Sequence, residues 1–499
     1  MRSLLEKPVV ILTLLGVLLL LPSLLFGPAP NHSHFYNILW TDHFGRQMAA
    51  GHLYERWLPN SFEGLGSPTF YFYPPIAYWV SGAFNAAGFS VGQAINLAGL
   101  VLLVGSGLAM HAFLAGRVKH PLLGAALYMA APYHLYDFYV RGALAEFAAF
   151  LWLPLIALAI ERLPGRRGVM MLALTFAGLL LTHLPIAMLT GLFLIAPLMV
   201  RRVAQDRTAL PAGIVAGLLA FSLAAFYLLP ALTLQDRVSM NLLWNPIFSA
   251  TAWSIWRAGS EVFTAIALAA LLLAWPARSI WTGIAVFAAL ASIRLIPFLW
   301  EIDLLNKVQF PWRALCIAEF AAVVALMHYR PRPVLLTAAL LPLALAYYIV
   351  GGVSYAMLRL PTDYDRVART GPDAPEYLPY GFNSALVSDF DRTVNLSSVR
   401  RLSRDDRMMV EQAGPVTFGR SAFPIWRVMH DGRTVETHGP LLHFQATPGL
   451  YRIERVRIWQ EQAGAAISLA CAILLAGLTL RDSRGSGLPR QSDQPEPGR

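Results

Sequence analysis

The chain has 499 residues, 56% of them hydrophobic and only 14% charged, with a net charge of +10. A soluble domain carries about 25% charged residues, so the composition excludes a wholly soluble fold and predicts a polytopic membrane protein. The Lys and Arg lie mostly in short loops between apolar runs and beyond Ser354, where they report topology and argue against a nucleic-acid partner.

The first apolar run, about 8–26, follows Arg2 and Lys7 and lacks a small-residue cleavage site. It reads as an uncleaved span. Further apolar runs lie near 94–115, 118–132, 143–161, 168–182, 186–200, 210–232, 262–275, 279–297, 313–328, 334–352 and 462–480. Twelve spans place both termini and the basic loops Arg117 to His120, Arg162 to Arg167, Arg201-Arg202, Arg278 and Arg330 to Arg332 on the cytoplasmic side. The segment Thr69 to Phe89 is apolar enough to cross as well, but a thirteenth span would invert every later loop. Its Tyr71, Tyr73, Tyr78 and Trp79 suit a membrane interface instead. It therefore belongs to the first external loop, 27–92.

Thr182-His183-Leu184-Pro185 interrupts one long apolar stretch, and the proline predicts a break with His183 near the outer side. Cys316 and Cys471 fall inside apolar runs and read as packing residues. After the eleventh run, 355–460 changes composition. Asp431-Gly432 between two strand-like runs suits a type I′ hairpin, and Pro448-Gly449 marks another turn. The expected plan is a transmembrane domain (1–354), a small external β-rich domain (355–460), a final span (461–481) and a disordered tail (482–499).

Polar residues gather in four external clusters. The first loop carries His32, His34, Asp42, His43, Arg46, Arg56 and Glu63. A-P-Y-H-L-Y-D-F-Y-V-R-G-A-L-A-E-F supplies Tyr133, His134, Asp137, Arg141 and Glu146. The third cluster is the His183 break. The fourth, W-E-I-D-L-L-N-K-V-Q-F-P-W-R-A, supplies Glu301, Asp303, Lys307, Gln309 and Arg313. Glu146 and Arg313 border apolar runs, where an unpaired charge costs several kcal/mol. Arg141 and Arg313 on one face would suit a phosphate, with a carboxylate as general base; an Arg–Glu pair that merely fastens two helices is the plainer alternative. There is no Walker A, H-E-x-x-H, G-x-S-x-G or CxxC motif. His32-Ser33-His34 and the sequons at Asn31 and Asn395 are short enough to arise by chance.

G-H-L-Y-E-R-W-L-P with G-L-G-S-P-T-F-Y-F-Y-P-P resembles the first-loop signature of a bacterial membrane family called pyruvoyl-tetrahydropterin-synthase-related, placed among the GT-C glycosyltransferases. A-P-Y-H-L-Y-D-F-Y-V-R-G-A-L-A-E, T-H-L-P, A-F-Y-L-L-P-A and V-Q-F-P-W-R-A resemble its later blocks, in order. The resemblance covers about 30–330 and extends to F-P-I-W-R-V with D-G-R in the β-rich segment. It implies an all-α GT-C membrane fold of about twelve spans plus a small β domain. It also implies a sugar donor on polyprenyl phosphate, a lipid, glycan or protein acceptor, and chemistry at the periplasmic face of a bacterial inner membrane. The early D-x-x-x-H of that family falls here on Ser33 and Asn37. The nearest first-loop acid, Asp42, becomes the expected base, with Asp137 or Glu146 as substitutes. His34, His43, Arg56, Tyr73, Tyr133, His134, Arg141, His183, Gln309 and Arg313 become expected substrate contacts, with Tyr71, Tyr73 and Trp79 seating the loop. No D-x-D argues for a metal, and no cofactor is assigned. A lipid or polysaccharide flippase and a non-catalytic scaffold are the competing readings.

Overall fold

The computed structural model describes residues 7–244, 248–257, 259–329, 367, 373–379, 402–403 and 406–485. Among the described residues, six helices are long and apolar enough to cross a membrane: Pro8–Phe26, Val91–Leu114, Leu144–Glu161, Leu184–Gln205, Pro311–Tyr329 and Trp459–Leu478. At 1.5 Å per residue the shortest of them span about 27–28 Å, close to the hydrocarbon thickness. Ala209–Leu223 and Ala225–Thr233 make a seventh if counted as one span, bent by 74°. The runs expected at 118–132, 168–182, 262–275 and 279–297 form Pro121–Met129, Arg166–Leu180, Glu261–Ala274 and Ile280–Ser292. These are too short to cross on their own, so twelve spans are not established. The run at 334–352 lies outside the described residues.

The bundle has two unlike ends. At one, Arg117 pairs with Glu161, Arg202 donates to the Leu163 carbonyl, and Arg166 donates to that of Leu478. Three of the basic loops thus share one end with the last helix, as the parity argument requires. At the other end lie the first loop, the His183 break and Arg313. His183 caps the helix Leu184–Thr190 there, its Nδ1 accepting from the Ile186 amide at 3.2 Å.

Thr69 to Phe89 forms no single helix long enough to cross. It folds into Thr69–Phe72 and Ile76–Ala86, and the second packs on the loop helix His34–Ala49. Contact is close because Gly82 lacks a side chain: a Cβ there would lie 2.4 Å from that of Phe44. Thr41 and Ser81 hydroxyls hydrogen-bond across the seam at 2.9 Å. The expectation that these aromatics seat the loop in the interface needs correcting for Tyr71 and Tyr78, which are buried. They form the core of a folded unit at this end of the bundle.

Among the described residues, seven strands form two sheets. The order β1-β3-β6 joins Leu402–Ser403, Gly414–Ser421 and Leu441–Ala446. The order β2-β7-β4-β5 joins Arg407–Val410, Gly449–Arg455, Trp426–His430 and Arg433–Val435. Val416, Phe418, Val428, Phe444 and Tyr451 fill the core. Asp431 and Gly432 turn β4 into β5 with φ of 48° and 76°, as their sequence predicts. The Pro448-Gly449 turn carries the chain from one sheet to the other and makes no hairpin, because β6 pairs with β3 and β7 with β2 and β4. The final helix runs Trp459–Gly485, so it extends into the segment expected to be a disordered tail.

Residues 373–379 do not extend these sheets. Their turn lodges between the first loop and the segment near Val238, where the Ser239 amide donates to the Leu378 carbonyl at 2.9 Å.

Candidate functional site

The segment after Pro132 is held from two directions. The helix Pro132–Tyr136 passes into a widened turn, Asp137–Arg141, and Gly142 closes it in the left-handed region at φ 61°. Such π-type turns recur at functional sites because they re-aim one side chain. The first loop braces this one: Asn37 Nδ2 donates to the Gly142 carbonyl at 2.8 Å, and the Ser33 amide to that of Arg141 at 3.1 Å. From below, the buried carboxylate of Glu319 accepts from the Tyr133 and His134 amides at 2.8 and 3.3 Å. An acid at a helix N-terminus satisfies donors that have no partner within the helix.

Arg141 therefore points into a charged network. Its Nη1 meets Asp137 Oδ1 at 2.6 Å, Glu146 Oε2 at 2.8 Å and the Tyr133 hydroxyl at 2.8 Å. Arg313 approaches from the turn Pro311–Ala314, its Nε 3.1 Å from the same Glu146 Oε2. Tyr133 donates to the other oxygen, Oε1, at 2.5 Å. Gln309, at φ 70°, steadies Arg313 by accepting from its Nη1 at 3.4 Å. Both guanidinium side chains keep 10% of their surface accessible. Nε and Nη2 of Arg141 and Nη2 of Arg313 make no hydrogen bond among the described residues. Asp137 Oδ2 is buried and without a partner there. His183 lies within electrostatic reach of Glu146.

Beside this network lies a second acidic group that sequence reasoning missed. Asp373 is buried and accepts four hydrogen bonds, from Trp40 Nε1 (2.8 Å), Ser61 Oγ (2.9 Å), Thr69 Oγ1 (2.7 Å) and the Ala374 amide (2.8 Å). Burial raises its carboxyl above the usual range while these donors oppose the shift. Tyr377 stacks on Phe72 at 5.7 Å, and Tyr73 lies 4.6 Å from the Trp40 ring. Glu376, Tyr36 and Tyr73 are all half-buried, and the Glu376 charge reaches both phenols. Burial pushes Glu376 up to about 7, with the Asp373 charge adding to the shift. Tyr73 is pushed up to about 12, chiefly by burial; Arg313, Glu146, Arg141 and Glu376 all act on it. The phenol thus lies within electrostatic reach of both the guanidinium network and Glu376.

Other expected residues lie elsewhere. Asp42 pairs with Arg46 Nε at 2.8 Å on its own helix. At about 100° per residue it projects roughly 160° away from Trp40, and nothing among the described residues brings it to Arg141 or Arg313. His43 is buried on that helix, pushed down to about 3 by desolvation, and His34 is lowered for the same reason. His134 stacks on Phe150, ring centroids 3.8 Å apart. Arg56 is taken up structurally, by Glu461 at 3.4 Å and the Phe226 carbonyl at 3.0 Å. Asn37 is the clamp on Gly142.

Signals for some missed residues existed. Glu319 is the lone acid in its apolar run, and an intramembrane acid is functional by default. Asp373 and Glu376 carried no local signal, since their partners lie some three hundred positions earlier.

Among the described residues no group of three His, Cys, Asp or Glu side chains is placed to hold a metal ion. No family model matches the chain, and no curated protein does. Among solved structures it is similar to the mycobacterial arabinofuranosyltransferase AftD, determined by single-particle cryo-EM. That likeness has a TM-score of 0.44 and 16% identity, covering 83% of this chain and 31% of that one. The chain thus spans about a third of that protein's length.

Proposed function

We propose that this protein is an integral-membrane glycosyltransferase that moves a sugar from a polyprenyl-phosphate carrier to a lipid, glycan or protein acceptor at the outer face. The observation that carries the reading is the pair Arg141 and Arg313, anchored on one oxygen of Glu146 with N–H groups left over. Guanidinium groups match phosphate oxygens through parallel hydrogen bonds. Aromatic rings and acids beside them suit a sugar.

In the step proposed, the acceptor oxygen attacks the anomeric carbon, and the bond from that carbon to the phosphate oxygen breaks with inversion. The electron pair leaves on the phosphate, where the arginines stabilise the developing charge. The hydroxyl proton passes to a carboxylate. Glu376 is the better candidate for that base than Asp42, because it is only partly buried, within electrostatic reach of Tyr73, and its raised pKa places it near neutrality. Asp137, Glu146, Tyr133, His183 and Gln309 then position the arginines, and Tyr73 faces the sugar.

A scaffold that binds without turnover is the second reading, favoured by the carboxylates that already neutralise both arginines. The test is release of free polyprenyl phosphate from a labelled donor in vesicles. Release that R313K abolishes supports the enzyme. Binding without release supports the scaffold, and donor crossing the bilayer uncleaved supports a flippase.

A further inference from the structure

At the opposite, basic end of the bundle lies a cavity that the proposed chemistry does not use. It has a volume of about 260 Å³ and is lined by Ile160, Glu161, Leu198, Arg201, Arg202 and Gln205. Its charges are unevenly compensated. Glu161 is engaged by Arg117, whose Nε lies 2.9 Å from its Oε2. Arg202 is fixed to the wall by the Leu163 carbonyl, which accepts from Nε at 2.8 Å and also from Nη2, while Nη1 reaches Gln205 Oε1 at 3.3 Å. All these acceptors are neutral, so the guanidinium is immobilised without a direct ion pair, although the Asp206 carboxylate feels its charge. Arg201 is exposed and makes no hydrogen bond or ion pair among the described residues. Next to it Val200, 72% exposed, gives the helix an apolar outer surface.

We propose that this cavity binds the headgroup phosphate of an anionic phospholipid, with its acyl chains along the helix face that carries Val200. An immobilised guanidinium has already lost its rotamer freedom, so it binds an anion at lower entropic cost. Arg201 supplies the second arm of the clamp. The basic loops put this end of the bundle at a bilayer surface, where the local supply of phosphate is lipid and basic pockets between spans take anionic headgroups. Buried Ile160 and Leu198 exclude water behind the phosphate.

The full chain in neutral detergent would be titrated with phosphatidylglycerol and, separately, with phosphatidylcholine of equal chain length, reading bound lipid by native mass spectrometry. Phosphatidylglycerol should bind in preference. R201Q should weaken that binding about tenfold, the loss of one charge-assisted hydrogen bond. R207Q, which removes an arginine outside the cavity, should leave it unchanged. Arg202 is the less informative position because it also holds Leu163. Equal binding of the two lipids overturns the proposal, as does equal weakening by R201Q and R207Q. Displacement of the lipid by low millimolar inorganic phosphate reassigns the cavity to a free anion and overturns the lipid assignment.

Discussion

Arg313 Nε and Glu146 Oε2 lie 3.1 Å apart although 167 positions separate them in the chain. Their meeting joins the turn before the helix Leu315–Tyr329 to the start of Leu144–Glu161, and Arg141 shares the same oxygen. The plain reading of these charges, a fastener between helices, is therefore part of the geometry. The guanidinium atoms left over are what make the site more than a fastener.

Glu146→Gln should be strongly destabilising. It leaves two buried guanidinium groups without their shared anion, and breaking such a pair costs about 3–5 kcal/mol. A fall in the thermal unfolding midpoint of the detergent-solubilised protein checks this. R313K, which keeps the charge but loses the Nε contact, should unfold closer to wild type while losing most sugar transfer.

Glu376 sets the expected pH dependence. Its pKa is raised to about 7 in the folded chain, above the ordinary glutamate value of about 4.3. The folded state holds this proton more tightly, so the stabilisation is present below the ordinary value and is lost as pH rises through about 7. A base must be ionised, so transfer should rise over the same window. E376Q should flatten that limb and lower the rate by 10²-fold or more. An unchanged pH–rate profile in E376Q would remove Glu376 from the role.

Asp42→Asn tests the competing assignment. Asp42 contacts Arg46, whose side chain is 58% exposed, and such i,i+4 pairs contribute roughly 0.3–0.5 kcal/mol. Transfer and stability should both remain near wild type. Loss of transfer with an intact fold would restore Asp42 as the base.

Glu461 should hold the β domain to the first loop. It accepts from the Tyr71 hydroxyl at 2.7 Å and pairs with Arg56 at 3.4 Å and Arg455 at 3.3 Å. Glu461→Ala leaves the buried Tyr71 hydroxyl without its acceptor, at a cost of about 1–3 kcal/mol, and removes one partner each from Arg56 and Arg455, which keep the Phe226 carbonyl and Glu55. Hydrogen exchange should accelerate in β7 and around Tyr71 while the helices of the bundle stay protected.

The hairpin at Asp431-Gly432 gives a purely local test. Gly432→Ala places a side chain at φ 76°, which costs about 1–2 kcal/mol. Chemical denaturation followed at a β-domain probe should show the loss, with sugar transfer unchanged.

Local chemistry made much of this protein legible in its sequence. The apolar runs, the break at Pro185, the type I′ turn and the gathering of basic loops at one end follow from hydrophobic length, proline geometry and the cost of moving Lys and Arg across a bilayer. Each of these depends on residues close together in the chain. Tyr133, Asp137, Arg141 and Glu146 were legible as a group for the same reason.

What only the tertiary structure decided is which distant groups share a low-dielectric space. Asp42 looked like the base because it was the nearest acid in the sequence, yet helical phase turns it away from Trp40. Asp373 and Glu376 looked unremarkable until Trp40, Ser61 and Thr69 enclosed the first and placed the second within electrostatic reach of Tyr73. Arg56 looked like a ligand contact until Glu461 claimed it. Charge–charge energies depend on separation and burial, and sequence distance constrains neither. The runs of the sequence therefore predict the helices, while the chain's three-dimensional closure selects the partners of each buried charge.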